Sequence, residues 1–289
     1  MSLRSLLAIV VLGPIALIAG LIAFGVNVPI PELGRDYVLR LLLPEYGDQI
    51  DLPQIYGESD ETLPLVVIDA GHGGRDPGAV NGDILEKDIT LGLALALRDA
   101  LVQQGGVRAA LTRESDILLS LEERPDIASR MGADMFISIH ADSAGGIAEV
   151  SGASVYTLSR EASSRAAARF AQRENSADRL NGISTEGQSD EVTAILFELS
   201  QRRVQEESSN LSALIIREGS GRVALHSQPT RSANLVVLRE PELPAILFEA
   251  GFVTNANDAQ RLISAEGKSE FADVMARAIR IHFAGRTDN

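Results

Sequence analysis

The chain reads as an α/β protein with a mainly parallel, mixed sheet flanked by helices. Three observations lead there. Continuous apolar runs of strand length recur at Leu65–Ile68, Met135–Ile139 and Ala245–Phe248, as expected for strands buried on both faces. Segments of helical period lie between them. Each of the three runs ends in a residue able to do chemistry, namely His72 in a glycine-rich turn, His140 and Glu249.

Composition narrows the class. The 289 residues are 45% hydrophobic, which supports a real core. The net charge is −14 and the pI about 4.8, which argues against a nucleic-acid partner, since phosphates call for a basic face. There is no cysteine. That excludes disulfides, thiolate metal sites and cysteine nucleophiles. The histidines are His72, His140, His226 and His282, so any metal site draws on these and on carboxylates.

In chain order, Leu6–Val26 is almost wholly apolar after Arg4, and about 20 such residues can cross a hydrocarbon core. Residues 1–27 are therefore expected to be a secretory signal peptide or a membrane anchor. Residues 28–62, rich in proline and acids, are expected to be a linker, and 63–285 a catalytic domain. Within it, Ile89–Val102 carries Leu93, Ala96, Leu97, Ala100 and Leu101 on one helical face and stops at Gly105-Gly106. Val107–Leu111 follows as a strand. Ser120–Met131 reads as a helix with Ser120 and Glu123 as a capping box, although Pro125 should shorten or kink it. Ser154–Thr157 and Leu235–Leu238 are expected as further strands, and a last helix runs over Ala256–Phe283.

The stretch 160–218 breaks this rhythm with two helical patterns and no strand. Ala162, Ala166, Phe170, Ala177 and Leu180 mark the first pattern. Val192, Ile195, Leu196, Leu199, Leu211, Leu214 and Ile215 mark the second, and the polar Asn181–Ser189 links the two. By periodicity alone this is an ordinary helical crossover or a lid.

His72 and His140 stand just beyond strand ends, where open α/β sheets bind ligands. Glu86 opens a helix after a loop long enough to return to the same edge. Two imidazoles and one carboxylate are a known catalytic zinc set that leaves a position for water, and such an ion brings that water's pKa to roughly 7. Glu249 is expected to be the catalytic acid–base beside one Zn2+ rather than a fourth ligand, because a fourth tight ligand would close the open position. His226 is expected near the substrate side or in a structural hydrogen bond, and His282 in packing or at the surface.

The segments Ile68-Asp-Ala-Gly-His72-Gly-Gly-Arg-Asp-Pro-Gly-Ala79, Glu86-Lys-Asp88, Ser138-Ile-His140-Ala-Asp142 and Phe248-Glu249-Ala-Gly-Phe252-Val-Thr-Asn255 together resemble the zinc-dependent N-acetylmuramoyl-L-alanine amidases of the bacterial cell wall. Thr112-Arg113 and Leu118–Ala128 are also similar to that family. The resemblance implies His72, Glu86 and His140 on zinc and Glu249 as the catalytic acid. It implies cleavage of the amide between N-acetylmuramic acid and L-alanine of the stem peptide, in the periplasm or another extracytoplasmic space. The stretch Arg160–Asp178 is similar to the insert of division-associated members, in which a helix covers the zinc until a protein activator displaces it. That resemblance implies an inhibitory acid on the metal, with Glu161 taken first and Glu174, Glu191 and Glu198 as the other candidates. Peptidoglycan, the activator and, through residues 6–26, the membrane are the implied partners. The rival expectation is a zinc peptidase or deacetylase acting on another wall bond. Arg75 stands where the family commonly has lysine, and 28–62 is too short for a wall-targeting domain.

Overall fold

Six strands build one twisted sheet in the computed structural model, which describes residues 52–145, 147, 149–180 and 190–285. For 179–180 and 190–201 it describes the backbone alone. The apolar segment 6–26, most of the expected linker and the connection 181–189 lie outside the described residues. Among the described residues no helix is long and apolar enough to cross a membrane.

The strands are β1 (Leu65–Ala70), β4 (Arg108–Leu111), β5 (Met135–Asp142), β6 (Ala153–Leu158), β7 (Leu225–Ala233) and β8 (Ala245–Phe252). A separate two-stranded ladder joins β2 (Val80–Asn81) to β3 (Ile84–Leu85). The main order is β4-β1-β5-β8-β6-β7. All neighbours run parallel except β6 against β8. The sheet is therefore mixed and mainly parallel, as expected. β1, β5 and β8 are buried along their whole length, which explains why they read as unbroken apolar runs rather than alternating ones.

Alternate residues of the central strands serve two cores. Val66, Ile68, Ile137, Ile139, Ile246 and Phe248 meet α1 (Glu86–Gln104) and α7 (Ala265–Ala284). Leu65, Val67, Phe136 and Leu247 meet α2 (Glu123–Arg130) and α3 (Arg165–Glu174). Leu93, Leu97 and Leu101 of α1 are fully buried, and each such side chain contributes about 1.5–3 kcal/mol. The remaining helices are α4 (Ala177–Leu180), α5 (Asp190–Gly219) and α6 (Ala256–Ile263).

Three expectations change in detail. Leu235–Leu238 is not a strand, because Val236–Leu238 forms a 3-10 turn. The strand lies earlier, over Leu225–Ala233, where polar residues and Pro229 hid it. It is the edge strand beside β6, and an edge is where a strand tolerates proline and half-exposed side chains. The last helix is broken at Ser264, whose extended backbone and hydroxyl cap the second half by accepting from the Gly267 N–H at 3.0 Å. The capping box forms as expected, with Glu123 N–H donating to Ser120 Oγ at 3.3 Å and Ser120 N–H to Glu123 Oε2 at 2.6 Å. The helix begins only at Glu123, so Pro125 falls in the first turn, where its missing N–H costs nothing.

The end of the expected linker is fastened to the sheet. Tyr56 bridges Ala109 of the edge strand β4 through two backbone hydrogen bonds, at 2.7 and 3.0 Å. Arg98 lies 4.6 Å over its ring, and Arg108 donates to the carbonyls of Leu63 and Glu61. This strap covers part of an edge that would otherwise be open to further strand pairing.

Candidate metal centre and active site

The carboxyl ends of β1, β5 and β8 converge. His140 on β5 stands directly opposite Glu249 on β8. His72 follows β1 in the left-handed region at φ 60°, a conformation histidine reaches only when its surroundings impose it. Those surroundings are crowded. A Cβ on Gly71 would lie 2.4 Å from His140 Nε2, and one on Gly78 would lie 2.6 Å from Glu86 Oε2. Glycine at these two places lets the turn close on the cluster. The β2–β3 ladder then returns the chain to the same edge and delivers Glu86 at the start of α1.

Glu86 Oε1 lies 3.1 Å from both His72 Nε2 and His140 Nδ1. It also accepts from the Ala141 N–H at 2.9 Å, while Oε2 accepts from the Ala79 N–H at 2.7 Å. A fourth donor arrives from α3: Glu174 Oε2 lies 3.7 Å from His72 Nε2 and 3.6 Å from His140 Nδ1. The ligand atoms of His72, His140 and Glu174 all fall within 4.8 Å of one another. A tetrahedral zinc at 2.0–2.1 Å from its ligands separates them by about 3.3 Å. The spacings here bracket that edge, and His72 Nε2 is buried without a hydrogen-bond partner. The donor set therefore fits a divalent metal of the zinc type.

Burial opposes charge on His72, but Glu86, Asp76 and Glu174 outweigh it and push its pKa well above the ordinary histidine value. Burial likewise opposes charge on Glu86, yet the two imidazoles hold it well below the usual carboxylate range. A cation at the centre would take over this neutralising role and favour the deprotonated imidazoles. His72 Nδ1 is held 2.8 Å from Asp76 Oδ2, the kind of outer contact that fixes a ligating ring's orientation.

Glu249 is 1% exposed, and neither carboxylate oxygen has a hydrogen-bond partner. Burial, reinforced by Asp142, Glu86 and Glu174, raises its pKa well above the ordinary value. An unpartnered buried carboxyl is costly as a fold element and suits proton transfer.

The acids expected in the insert separate. Glu174 reaches the histidines, whereas Glu161 is exposed on the stretch before α3. The physical reason is the position of the helix start: Ser164 caps it, accepting from Ala167 N–H at 3.1 Å, and leaves Glu161 outside. The side chains of Glu191 and Glu198 lie outside the described residues. His226 opens the edge strand, 6.1 Å from the Phe252 ring, and His282 is buried edge-on against Phe283.

Sequence reasoning passed over the groups that brace the site. Asp69, fully buried, accepts from Thr112 at 2.7 Å, Ser138 at 2.7 Å and Arg124 at 2.8 Å. Arg124 and Arg113 also donate to the carbonyls of Ala70, Gly71 and His72. Removing one partner of such a buried pair costs about 3–5 kcal/mol. The alternation of β1 places Asp69 on the α2 side of the sheet, but a lone aspartate in an apolar strand carries no signal of its arginine. Asp142, paired with Arg173, was also missed as a site residue. Burial raises its pKa to about 6 despite that arginine, helped by Glu174. Asp142, Ser143, Arg173 and Glu174, with His72, Asp76, Gly78 and Glu86, enclose a cleft of about 190 Å3. A larger cavity of about 320 Å3 lies by Ala245, at the opposite end of β8, away from all these groups.

Strand ends that gather two imidazoles, a carboxylate and an unpaired buried glutamate define a metal-dependent hydrolase of the α/β class. The sequence pattern of the N-acetylmuramoyl-L-alanine amidase family matches residues 66–280, and the chain belongs to that family of enzymes. It is 36% identical over 222 residues to the N-acetylmuramoyl-L-alanine amidase AmiA of Salmonella typhimurium, covering 76% of each chain. It is 32% identical over 231 residues to AmiC of Escherichia coli, covering 79% of this chain and 55% of that one. Among solved structures, the amidase AmiC2 of Nostoc punctiforme superposes with a TM-score of 0.54 at 31% identity, over 76% of this chain and 97% of that one.

Proposed function

We propose that the chain is an exported, zinc-dependent amidase that hydrolyses the bond between N-acetylmuramic acid and L-alanine of the stem peptide. In this reading His72, Glu86 and His140 hold the ion, Glu249 transfers the proton, and α3 keeps the enzyme closed through Glu174. The observation that carries it is the approach of Glu174 to both histidine nitrogens, at 3.6 and 3.7 Å, beside a catalytic-type glutamate left without partners. The amidase relatives support the choice of bond, and a cell-wall substrate calls for an extracytoplasmic location. A membrane attachment through residues 6–26 and a role in wall remodelling or daughter-cell separation belong to the same reading.

Zinc, when bound, supplies the Lewis acidity that activates water and polarises the scissile carbonyl. Glu249 takes the proton of the attacking water at a carboxylate oxygen. It returns that proton to the amide nitrogen as the carbon–nitrogen bond breaks, so the peptide leaves as a free amine and the lactyl group as a carboxylic acid. The low polarity around Glu249 raises its proton affinity and strengthens it as a base. Asp76 and the backbone N–H groups of Ala79 and Ala141 keep His72 and Glu86 in place throughout. Glu174 occupies the face from which water and substrate approach, and Arg173 ties the same helix turn to Asp142. A protein activator that draws α3 away removes both contacts at once.

The test is digestion of peptidoglycan by the zinc-loaded full chain and its Glu174→Ala variant, with mass analysis of the products. Lactyl-ended glycan and peptides beginning with free L-alanine are expected, released faster by the variant. Peptide cuts that leave L-alanine on the sugar would favour a peptidase, and loss of acetyl groups a deacetylase.

A further inference from the structure

Arg231 of β7 is a buried charge, 8% exposed, whose contacts among the described residues include no carboxylate. Its Nη1 donates to the Tyr156 hydroxyl at 3.0 Å, and its Nε to the Gln228 carbonyl at 3.2 Å. Its Nη2 lies 3.0 Å from the His226 ring nitrogens. His226 Nδ1 accepts from the Gln228 N–H at 2.9 Å. Burial, and then Arg231 itself, lowers the His226 pKa. A phenol, a carbonyl and an imidazole are its direct partners, and none of them carries a negative charge. Buried arginines ordinarily sit against a carboxylate, as Arg124 does against Asp69.

The fold places this charge on the working face. Ser154 of β6 pairs with Glu249, and Tyr156 pairs with Leu247 on one side and Arg231 on the other. Alternate strand residues share a face, so Glu249, Ser154, Tyr156 and Arg231 form a row from the proton-transfer group to the edge strand. The same helix lies along that row. Phe170 of α3 stacks on Tyr156 with ring centroids 4.6 Å apart, and one turn later Glu174 meets the histidines. Whatever lifts α3 from the histidines also uncovers Tyr156, the neighbour of Arg231.

We infer that Arg231, together with the Tyr156 hydroxyl, is an anion subsite that receives a carboxylate of the leaving peptide when α3 moves away. This rests on the amidase reading of the site. Of the two arms joined by the scissile amide, the sugar arm offers hydroxyls and an acetamido group, and the peptide arm carries the carboxylates. Two strand spacings and a two-residue offset along the strands separate Arg231 from Glu249, roughly 12 Å between backbones. An extended peptide advances about 3.3–3.6 Å per residue, which matches carboxylates on the second and third residues beyond the amide.

The experiment uses the zinc-loaded full chain carrying Arg173→Ala and Glu174→Ala, which removes both polar attachments of α3 to the site. Two substrates are compared: an N-acetylmuramoyl tetrapeptide with free carboxylates on its second and third residues, and the same compound with both as primary amides. The parent should prefer the free acid about tenfold in kcat/KM, mostly through KM, the scale of one charged hydrogen bond. Arg231→Gln should erase the preference and Arg231→Lys should keep part of it. Tyr156→Phe, which preserves the ring packing, should reduce it by a smaller factor. A merely structural arginine would lower turnover of both substrates and leave their ratio unchanged. That result, or a parent with no preference, overturns the inference while leaving the amidase reading intact. Cleavage of neither substrate at the lactyl amide removes the reading and the subsite together.

Discussion

The strand-end cluster and the helix that covers it are held in place by different means. His72, Glu86, His140 and Glu249 sit on or beside strands buried along their full length, and Asp69, Arg113 and Arg124 cross-brace the carbonyls behind them. Helix α3 is a short amphipathic element that buries Ala167, Phe170 and Ala171. It reaches the site through two charged side chains, Arg173 and Glu174. The difference teaches that the candidate chemistry is built on the most deeply buried strands, while the helix beside it is amphipathic and meets the site through charged side chains. Moving this helix would break the Arg173–Asp142 pair, half exposed on the arginine side, and the more deeply buried approach of Glu174 to the histidines.

The sharpest break of this comparison is Glu249→Gln. Turnover should fall about a thousandfold while zinc content, measured on the purified protein, stays stoichiometric. Zinc lost along with activity would make Glu249 a ligand and blur the division between holding and reacting groups. The next is Asp76→Ala. Removing the partner of His72 Nδ1 should weaken zinc binding about tenfold to a hundredfold, read by competition with a chelator. An unchanged affinity would show that the β1 turn alone orients His72.

The cover is tested more gently. Glu174→Ala should raise basal peptidoglycan release about tenfold, the scale expected when one charged contact closes a two-state element. Equal release by parent and variant would mean that Glu174 stands near the metal without restraining access. The smallest expected effect concerns Asp178, which accepts from the Leu121 N–H at 3.0 Å and fastens α4 beside the cover. Burial, with Glu122 adding to it, raises its pKa from 3.8 to about 6. The folded form therefore holds this proton more tightly than the unfolded form. Its contribution is complete below about pH 4 and is lost as pH rises through about 6. Amide exchange over α3 and α4 should quicken across that window in the parent, more than in Asp178→Asn. A parent that becomes better protected as pH rises would exclude Asp178 from this role.

Much of the site was legible because its residues terminate continuous apolar runs, and a strand end is a position that sequence pattern reveals. His72, His140 and Glu249 are candidates on that ground and Glu86 through its place at a helix start, and the fold brings all four to one sheet edge. Strand β7 was not legible. An edge strand needs neither a continuous apolar run nor clean alternation, so Pro229 and its polar neighbours read as a loop and Leu235–Leu238 took the strand's place. The same blindness concealed Arg231, whose meaning depends on Tyr156 beside it and Phe170 above it. The choice among insert acids was equally out of reach. Glu161 and Glu174 differ only in which side of a helix cap they fall, and a shift of a few residues rotates an acid off the site.

By itself the sequence determined the alternation of strand and helix, the two cores and the chemical identity of the strand ends, because burial on two faces and helical period are written locally. Only the tertiary structure decided that β6 runs against β8, that Asp69 is balanced by Arg124 and that Glu174 reaches the histidines. Those are contacts between segments far apart in the chain, set by sheet order and helix placement, and no local pattern encodes them.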